Sequence, residues 1–386
     1  MAITLPDGVP TPFDIEPATL QVEDLQKVLR WAYELGVSDV ILMTDDRVAA
    51  RLHGRYARVT HRRLTQPEIS QLLGVIYADN GPALVSGGSP LDFSYEFSVS
   101  RERKLRFRVN ATAGATRLST SGIEIVFRVI PESPPTLEEI ALEREIVVAH
   151  REIARSQGLV MVVGATGTGK STTLAAMISD AVTNAPLKVV TYEAPIEFQL
   201  SPPSGAQGLV IQTEVPRHVP TFADGVSNAL RRAPNIIMLG EARDRETMMG
   251  LVQACLTGHA VYATLHANSV AAALPRMLGE FPPGEQRGLL ARLLDVLRLV
   301  MTQRLVPTLD GRRVALREWL VFDQRIREEL AFADLDRLQP LLHRMVRERR
   351  QSLLCAAERV ADRLAPGQME LIAAEWKGAH EDGHGH

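Results

Sequence analysis

A glycine-rich loop near the middle of the chain constrains the fold more than any other feature. The loop reads Gly164-Ala165-Thr166-Gly167-Thr168-Gly169-Lys170-Ser171 and matches the P-loop pattern G-x-x-x-x-G-K-[ST] at every required position. The apolar run Gly158-Leu159-Val160-Met161-Val162-Val163 precedes it and predicts a buried strand, and the residues from Thr172 to Ile178 predict a helix. A strand, a glycine loop and a helix N-terminus in this order indicate an anion site, because backbone N–H groups and the helix dipole converge there.

The residue types of this loop fit a phosphate chain and a metal ion. Gly167 and Gly169 let the backbone wrap a phosphate because they carry no Cβ. Lys170 is expected to reach the β- and γ-phosphates of ATP, and the Ser171 hydroxyl is expected to ligate Mg²⁺. The predicted nucleotide-binding residues are Gly164, Ala165, Thr166, Gly167, Thr168, Gly169, Lys170, Ser171 and Thr172.

Composition narrows the class of protein. The 386 residues suffice for two domains with cores of their own. A net charge of −3 and a sequence pI near 6.4 give no basic bias, so nucleic acid is not expected as a direct ligand. The two cysteines, Cys255 and Cys355, lie outside any metal-ligand spacing and are expected to be inert thiols.

Targeting signals are not evident. No apolar run approaches the roughly 20 residues that span a bilayer. The first residues, Met1 to Asp7, have neither a basic region nor a long apolar core, which does not fit a signal peptide. The protein is therefore expected in the cytoplasm, with any membrane association made through partners.

The proline-rich stretch and the changes of hydrophobic pattern along the chain predict an α/β fold with two domains. Residues 1–130 mix helical and strand patterns, and the proline-rich stretch 131–139 is expected to be a stiff linker. Residues 140–325 alternate strands and helices, which indicates a mainly parallel sheet. Residues 326–386 predict a helical extension with a disordered end, where three histidines leave metal binding open as an alternative. A helical stretch is expected to begin at Thr136.

Two carboxylates follow predicted strands. Glu193 directly follows the strand predicted over Lys188–Tyr192, and Glu241 follows the apolar run Ile236-Ile237-Met238-Leu239 and Gly240. Because the carboxyl ends of parallel strands form the ligand edge of a sheet, both are expected near the phosphates. Gly240 stands where a Walker B strand usually has aspartate, so the two glutamates are expected to share the work on Mg²⁺ and water.

Two histidines flank the next predicted strand. Thr257-Gly258-His259 comes before it, and Thr264-Leu265-His266-Ala267-Asn268-Ser269 covers its end. A histidine at the carboxyl end, such as His266, can sense a γ-phosphate. A single histidine in such a place is often only a buried imidazole with satisfied hydrogen bonds, and that alternative stays open.

These four motifs, in this order and spacing, resemble the Walker A, Asp box, Walker B and His box of the secretion ATPase superfamily, the PilT- and GspE-like ATPases of type II and type IV secretion. Further segments are similar as well: Gly36-Val37-Ser38-Asp39-Val40-Ile41-Leu42, Phe127-Arg128-Val129-Ile130-Pro131 and Met301-Thr302-Gln303-Arg304-Leu305-Val306-Pro307. The resemblance covers most of the chain. It implies an N-terminal PAS-like domain and a C-terminal RecA-like P-loop domain.

The resemblance also implies a homohexamer that hydrolyses ATP with Mg²⁺ and docks on proteins of an inner-membrane apparatus. Glu241 is then expected as general base or water positioner and Glu193 as a partner in the Mg²⁺–water network, although these roles can be exchanged. An arginine acting across a subunit junction is implied too, and Arg108, Arg117 and Arg128 are the candidates.

Departures from the family pattern point to a branch. Ala194 replaces the aspartate of E-D-P-I-E, Asn235 ends the segment that usually reads D-P-D, and no four-cysteine zinc insert occurs in the sequence. The segment Tyr192-Glu193-Ala194-Pro195-Ile196-Glu197-Phe198 resembles that of the DotB- and TraJ-like ATPases, the branch that serves type IVB secretion and conjugative plasmid transfer. The alternatives are a type IV pilus retraction motor, a DNA-translocating RecA-like protein, and a regulatory nucleotide-binding protein that does not hydrolyse.

Overall fold

A computed structural model describes residues 12–13, 15–52, 55–101, 103–116, 119–131, 133–200, 202 and 205–381. The chain forms two compact units. The first unit comprises Met1–Glu132 together with Pro195–Gln199, and the second comprises Ser133–Ala194 and Leu200–His386. In the described part of the chain, no helix has the length and apolar character needed to cross a bilayer.

The first unit is a six-stranded antiparallel sheet with three helices. Its strands pair in the order β3-β2-β1-β6-β5-β4. The elements are α1 Val22–Glu34, β1 Asp39–Met43, β2 Ala49–Leu52, β3 Arg55–Arg58, α2 Gln66–Ile76, α3 Gly81–Ser86, β4 Leu91–Ser98, β5 Lys104–Gly114 and β6 Gly122–Ile130. Alternating side chains of the strands, including the buried rings of Phe107 and Phe127, form a core against α1 and α2.

The second unit is built on a seven-stranded sheet in the order β13-β12-β7-β11-β10-β8-β9. All neighbours are parallel except β12 and β13. The first elements are α4 Arg144–Ala154, β7 Gly158–Val163, α5 Lys170–Asn184, β8 Lys188–Glu193, β9 Leu209–Glu214, α6 Phe222–Ala229, β10 Ile236–Leu239, α7 Arg245–Leu256 and β11 Ala260–Leu265. The rest are α8 Val270–Gly279, α9 Pro283–Val296, β12 Leu297–Pro307, β13 Arg313–Val321, α10 Gln324–Ala331, α11 Leu338–Glu348, α12 Leu353–Glu358 and α13 Gln368–Glu381.

Burial in this second sheet explains its sequence pattern. Every residue of β7, β10 and β11 is buried, which is why these strands read as continuous apolar runs. The predicted mixed α/β fold class, with two sheets, is confirmed. Cys255 is buried in this core, where desolvation raises the pKa of its thiol, and Cys355 is partly exposed.

The segment that follows Pro135 differs from the prediction. Residues 137–141 form a turn and not the helix expected from Thr136. Thr136 and Glu139 exchange the two hydrogen bonds of a capping box, Thr136 N–H to Glu139 Oε2 at 2.8 Å and Glu139 N–H to Thr136 Oγ1 at 3.1 Å. The turn then stops because Ala141 adopts a left-handed φ of 47°, which a helix cannot contain.

Candidate active site

The P-loop joins β7 to α5 and takes a conformation that requires glycine. Gly164, Gly167 and Gly169 have φ values of 148°, 80° and 87°. A Cβ on Gly169 would lie 2.7 Å from Nε2 of Gln303, and one on Gly164 would lie 2.8 Å from Oγ1 of Thr168. A Cβ on Gly167 would have no neighbour within 4 Å, so only the positive φ of this residue favours glycine. The loop backbone therefore packs closely against Gln303 on one side, the side called its underside here, whereas Ala165, Thr166 and Gly167 are exposed.

Lys170 lies over the loop. Its ammonium donates hydrogen bonds to the carbonyl oxygens of Gly164 and Ala165, both at 2.8 Å. Lys170 is also the first residue of α5, so the helix N-terminus and the ammonium place positive charge in the same region. Ser171 and Thr172 follow in the first turn and are partly buried. This arrangement suits an anion with several phosphate oxygens.

The two predicted carboxylates lie at the same edge of the sheet. Strands β8 and β10 are parallel neighbours in which Leu239 pairs with Tyr192, so Glu193, the last residue of β8, and Glu241, which follows β10, lie at the same carboxyl edge. Glu193 is buried, and its Oε1 accepts hydrogen bonds from Thr191 Oγ1 at 2.5 Å and Gln212 Nε2 at 3.0 Å. These two donors orient the Glu193 carboxylate.

Glu241 forms a cluster with two basic side chains. Its Oε2 lies 2.5 Å from Nη2 of Arg243, and its Oε1 lies 3.2 Å from Nε2 of His266. The hydrogen bond with Glu241 raises the pKa of Arg243. His266 directly follows β11, which lies between the P-loop strand and β10. The His266 imidazole is 45% exposed and is therefore available to a ligand.

The two histidines that flank β11 lie at opposite ends of this strand. His259 precedes β11, and its Nδ1 is 3.0 Å from the carbonyl oxygen of Ala254 and 3.3 Å from Oγ1 of Thr257. His266 follows β11 and lies on the ligand edge with Glu241. Only His266 is therefore placed where it can respond to a nucleotide.

The candidate arginines belong to the first unit. Arg108 on β5 pairs with Glu197, whose Oε1 is 3.2 Å from Nη1, and Arg128 on β6 donates from Nε to Asp39 Oδ1 at 2.8 Å. Arg117 lies outside the described residues. Arg108 and Arg128 thus each have a carboxylate partner in their own unit.

The sequence motifs do not include all the groups that support the site from within. They are Gln212 beside Glu193, Arg243 beside Glu241, and Gln303 with Arg317 beneath the P-loop. Gln303 lies in a segment that resembled the family, which is a signal that it matters. Arg317 carries no sequence signal, since a lone arginine in a strand pattern reads as an edge or surface residue.

A Mg²⁺ ion fits the hydroxyl and carboxylate oxygens of this edge. In the described part of the chain, no group of three or more His, Cys, Asp or Glu side chains could hold a metal by itself. Mg²⁺ does not need such a group, because it is commonly held by one or two protein oxygens, phosphate oxygens and water. Ser171 at the start of α5, with Glu193 and Glu241 on neighbouring strands, offers this kind of donor set.

Comparisons with known proteins identify the family. The family model "Type II/IV secretion system protein" matches residues 16–348. A twitching motility protein of Neisseria gonorrhoeae is 35% identical over 279 residues, which cover 72% of this chain and 70% of the relative.

Two solved structures bear on the branch. The Legionella pneumophila ATPase DotB superposes with a TM-score of 0.80 at 38% identity, covering 94% of this chain and 98% of that one. The pilus retraction motor PilT with bound ADP gives a TM-score of 0.76 at 26% identity, covering 90% and 96%. With comparable coverage, identity to the Legionella DotB is higher than identity to this PilT structure. The chain therefore belongs to the type II/IV secretion system protein family, within the secretion ATPase superfamily and on its DotB-like side.

Proposed function

We propose that this chain is a Mg²⁺-dependent ATPase that forms a homohexamer and powers a type IV secretion machine of the IVB or conjugative kind. It would act at the cytoplasmic face of the inner membrane, attached through proteins of the apparatus. The observation that carries the proposal is the convergence, on one sheet edge, of the P-loop with Lys170 and the Glu241–His266 pair. The 38% identity to DotB over nearly the whole chain supports the choice of machine.

The roles of the residues follow from their positions. The α5 N-terminus and Lys170 would bind the phosphates, with Ser171, Glu193 and Glu241 as the oxygens available to the metal. A bound Mg²⁺ would neutralise phosphate charge and orient the phosphate oxygens. Glu241 would orient the attacking water and accept its proton, and His266 would link the γ-phosphate position to Glu241 through their 3.2 Å contact.

The arginine roles are a further part of this proposal. Arg108, Arg117 and Arg128 would supply positive charge across a junction between subunits, where the γ-phosphate charge develops. We favour Arg128 over Arg108 because its side chain is 62% exposed, against 36% for Arg108, although its Nε is bonded to Asp39.

A pilus retraction motor is the second candidate. The 35% identity to the twitching motility protein and the likeness to PilT favour it. Deletion of the gene in its own host separates the two candidates: loss of secretion or plasmid transfer supports the first, and loss of twitching alone supports the second.

The first test is steady-state phosphate release by the wild type and by Glu241→Gln, each sized by light scattering with Mg-ATP. We expect a hydrolysing hexamer for the wild type, and a variant that assembles and binds ATP but hydrolyses about 10²–10⁴-fold more slowly, since a general base contributes that much. Glu193→Gln measured beside it decides the division of roles: the more damaging of the two changes marks the base.

Glu285→Gln is the matched control, because this carboxylate pairs with Arg245 on an exposed surface and has no place in the site. It should hydrolyse at the wild-type rate. A wild type that binds ATP as a monomer and releases no phosphate would overturn the motor proposal in favour of a regulatory nucleotide-binding protein.

A further inference from the structure

Gln303 supports the P-loop from below. Its side chain is buried on β12, and Nε2 donates a hydrogen bond to the carbonyl oxygen of Thr168 at 2.7 Å. Its Oε1 accepts from the hydroxyl of Thr173, in the first turns of α5, at 2.8 Å. One amide therefore holds both the loop and the helix that begins there.

Arg317 holds this amide in place. It lies opposite Gln303 on β13 and is 1% exposed. Its Nε donates to Oε1 of Gln303 at 2.8 Å. Because a guanidinium can only donate, it keeps Oε1 turned toward itself and so keeps Nε2 turned toward Thr168.

The rest of the guanidinium binds the turn at residues 137–141 and the residues that follow it. Nη2 donates to Ile140 O at 2.9 Å, and Nη1 donates to Ala141 O at 3.1 Å and to Glu143 Oε2 at 3.3 Å. Burial lowers the pKa of Arg317 and raises that of Glu143, and the attraction between the two opposes both shifts. The left-handed Ala141 lies in this contact, so Arg317 helps to hold a backbone conformation that costs free energy.

We propose that Arg317 is a positioning residue that couples the turn at residues 137–141, together with Glu143, to the nucleotide-binding loop through Gln303. The turn begins within the proline-rich stretch 131–139, which connects the first unit to the second. A displacement of the turn would pull on the guanidinium, release the orientation of the Gln303 amide and loosen the Thr168 carbonyl. The inference deepens the proposed ATPase function, because it names how the affinity of that site is set.

A double-mutant cycle tests the coupling. Glu143 binds Arg317 but its contacts do not include the P-loop, and Gln303→Glu keeps the acceptor for Arg317 while removing the donor to Thr168. We expect Glu143→Gln to weaken the binding of a fluorescent ADP analogue roughly threefold to tenfold in the wild-type background and not at all in the Gln303→Glu background. Equal effects in the two backgrounds would overturn the proposal.

Arg317→Lys supplies a second measurement. A lysine cannot bond three partners in fixed directions, so ADP affinity should fall about tenfold or more, and KM for ATP should rise while kcat changes less. Hydrogen exchange of the amides at residues 164–173 should become faster without nucleotide. Unchanged affinity and unchanged exchange would also overturn the proposal. If Arg317→Lys prevents folding, the double-mutant cycle tests the proposal by itself. Its Glu143→Gln variant should fold, since the Glu143 carboxylate is partly exposed.

Arg359→Gln is the matched control. Arg359 also faces Glu143, at 3.7 Å, and covers the ring of Trp319, but its contacts do not include Gln303. Its ADP affinity should stay within twofold of the wild type. The exchange measurement also distinguishes a failure of the positioning role from a failure of the ATPase function. A wild type that releases no phosphate refutes only the ATPase function, because the effect of Arg317→Lys on hydrogen exchange in the loop is measured without turnover.

Discussion

At the scale of single residues, the P-loop shows what a motif predicts and what it leaves out. The pattern predicted the loop, its lysine and the helix that follows, because these depend on neighbours in sequence. It did not predict that Gln303 and Arg317 lie beneath the loop, because these contacts join residues far apart in the chain: Gln303 and Thr168 are 135 positions apart. Tertiary contacts of that kind leave no local periodicity.

Gly169→Ala is a residue-scale prediction. Alanine at a φ of 87°, with its Cβ 2.7 Å from Gln303 Nε2, must displace either the loop or the Gln303 amide. We expect a loss of about 1–3 kcal/mol in the free energy of unfolding of the second unit, and much weaker ADP binding. Denaturant titration and ligand binding measure these two effects.

The control for this change is Gly288→Ala, in the middle of α9, where a Cβ meets nothing within 4 Å. Helix propensity predicts that it stabilises the protein by about 0.5–1 kcal/mol. A Gly169 variant that behaved like the Gly288 variant would show that the loop accepts a side chain.

At the scale of elements, two differences from the sequence prediction have physical reasons. Thr136 and Glu139 carry the signature of a helix start, yet the turn stops at the left-handed Ala141. Arg317 stabilises this end of the turn because it donates hydrogen bonds to the carbonyl oxygens of Ile140 and Ala141. Strand β12 was not predicted, because α9 ends at Val296 and β12 begins at Leu297 with no glycine or proline between them. The buried strands β7, β8, β10 and β11 were all predicted, and for β7 and β10 the signal was an apolar run.

Glu318 gives an element-scale prediction of pH dependence. It lies in β13 and accepts the backbone N–H of Val270, which starts α8, at 2.8 Å. Burial raises its pKa to about 7, against an ordinary value of 4.5, and hydrogen bonds from the backbone of Val270 and Leu353 oppose the rise. The folded protein therefore binds more protons than the unfolded one, and this group costs stability as pH rises from about 4.5 through 7.

Glu318→Gln removes this titration. The stability of the wild type relative to the variant should therefore increase on acidification from pH 8 to pH 5, by on the order of 2–3 kcal/mol. Denaturant titrations of both proteins across this range measure the difference. Parallel stability curves would show that Glu318 does not titrate between these pH values.

At the scale of the whole molecule, each unit has its own core. We expect two unfolding transitions in calorimetry, with ADP raising the midpoint of only one, because the P-loop residues belong to the second unit. Phe107→Leu, in the core of the first unit, should lower the midpoint of the other transition. A single transition that moves as a whole with both changes would contradict the expectation of independent cores.

The placement of Arg317 has a consequence for the order in which the protein is made. The ribosome completes the P-loop well before it adds β12 and β13, and the bond from Arg317 to Ile140 spans 177 positions. Until those strands emerge, β7 lacks one of its two neighbours and the loop lacks its support. The first unit can fold while synthesis continues, whereas the P-loop of the second unit lacks its contact with Gln303 until β12 has emerged. We therefore expect a chain that stops before β12 to hold nucleotide less tightly than the full chain.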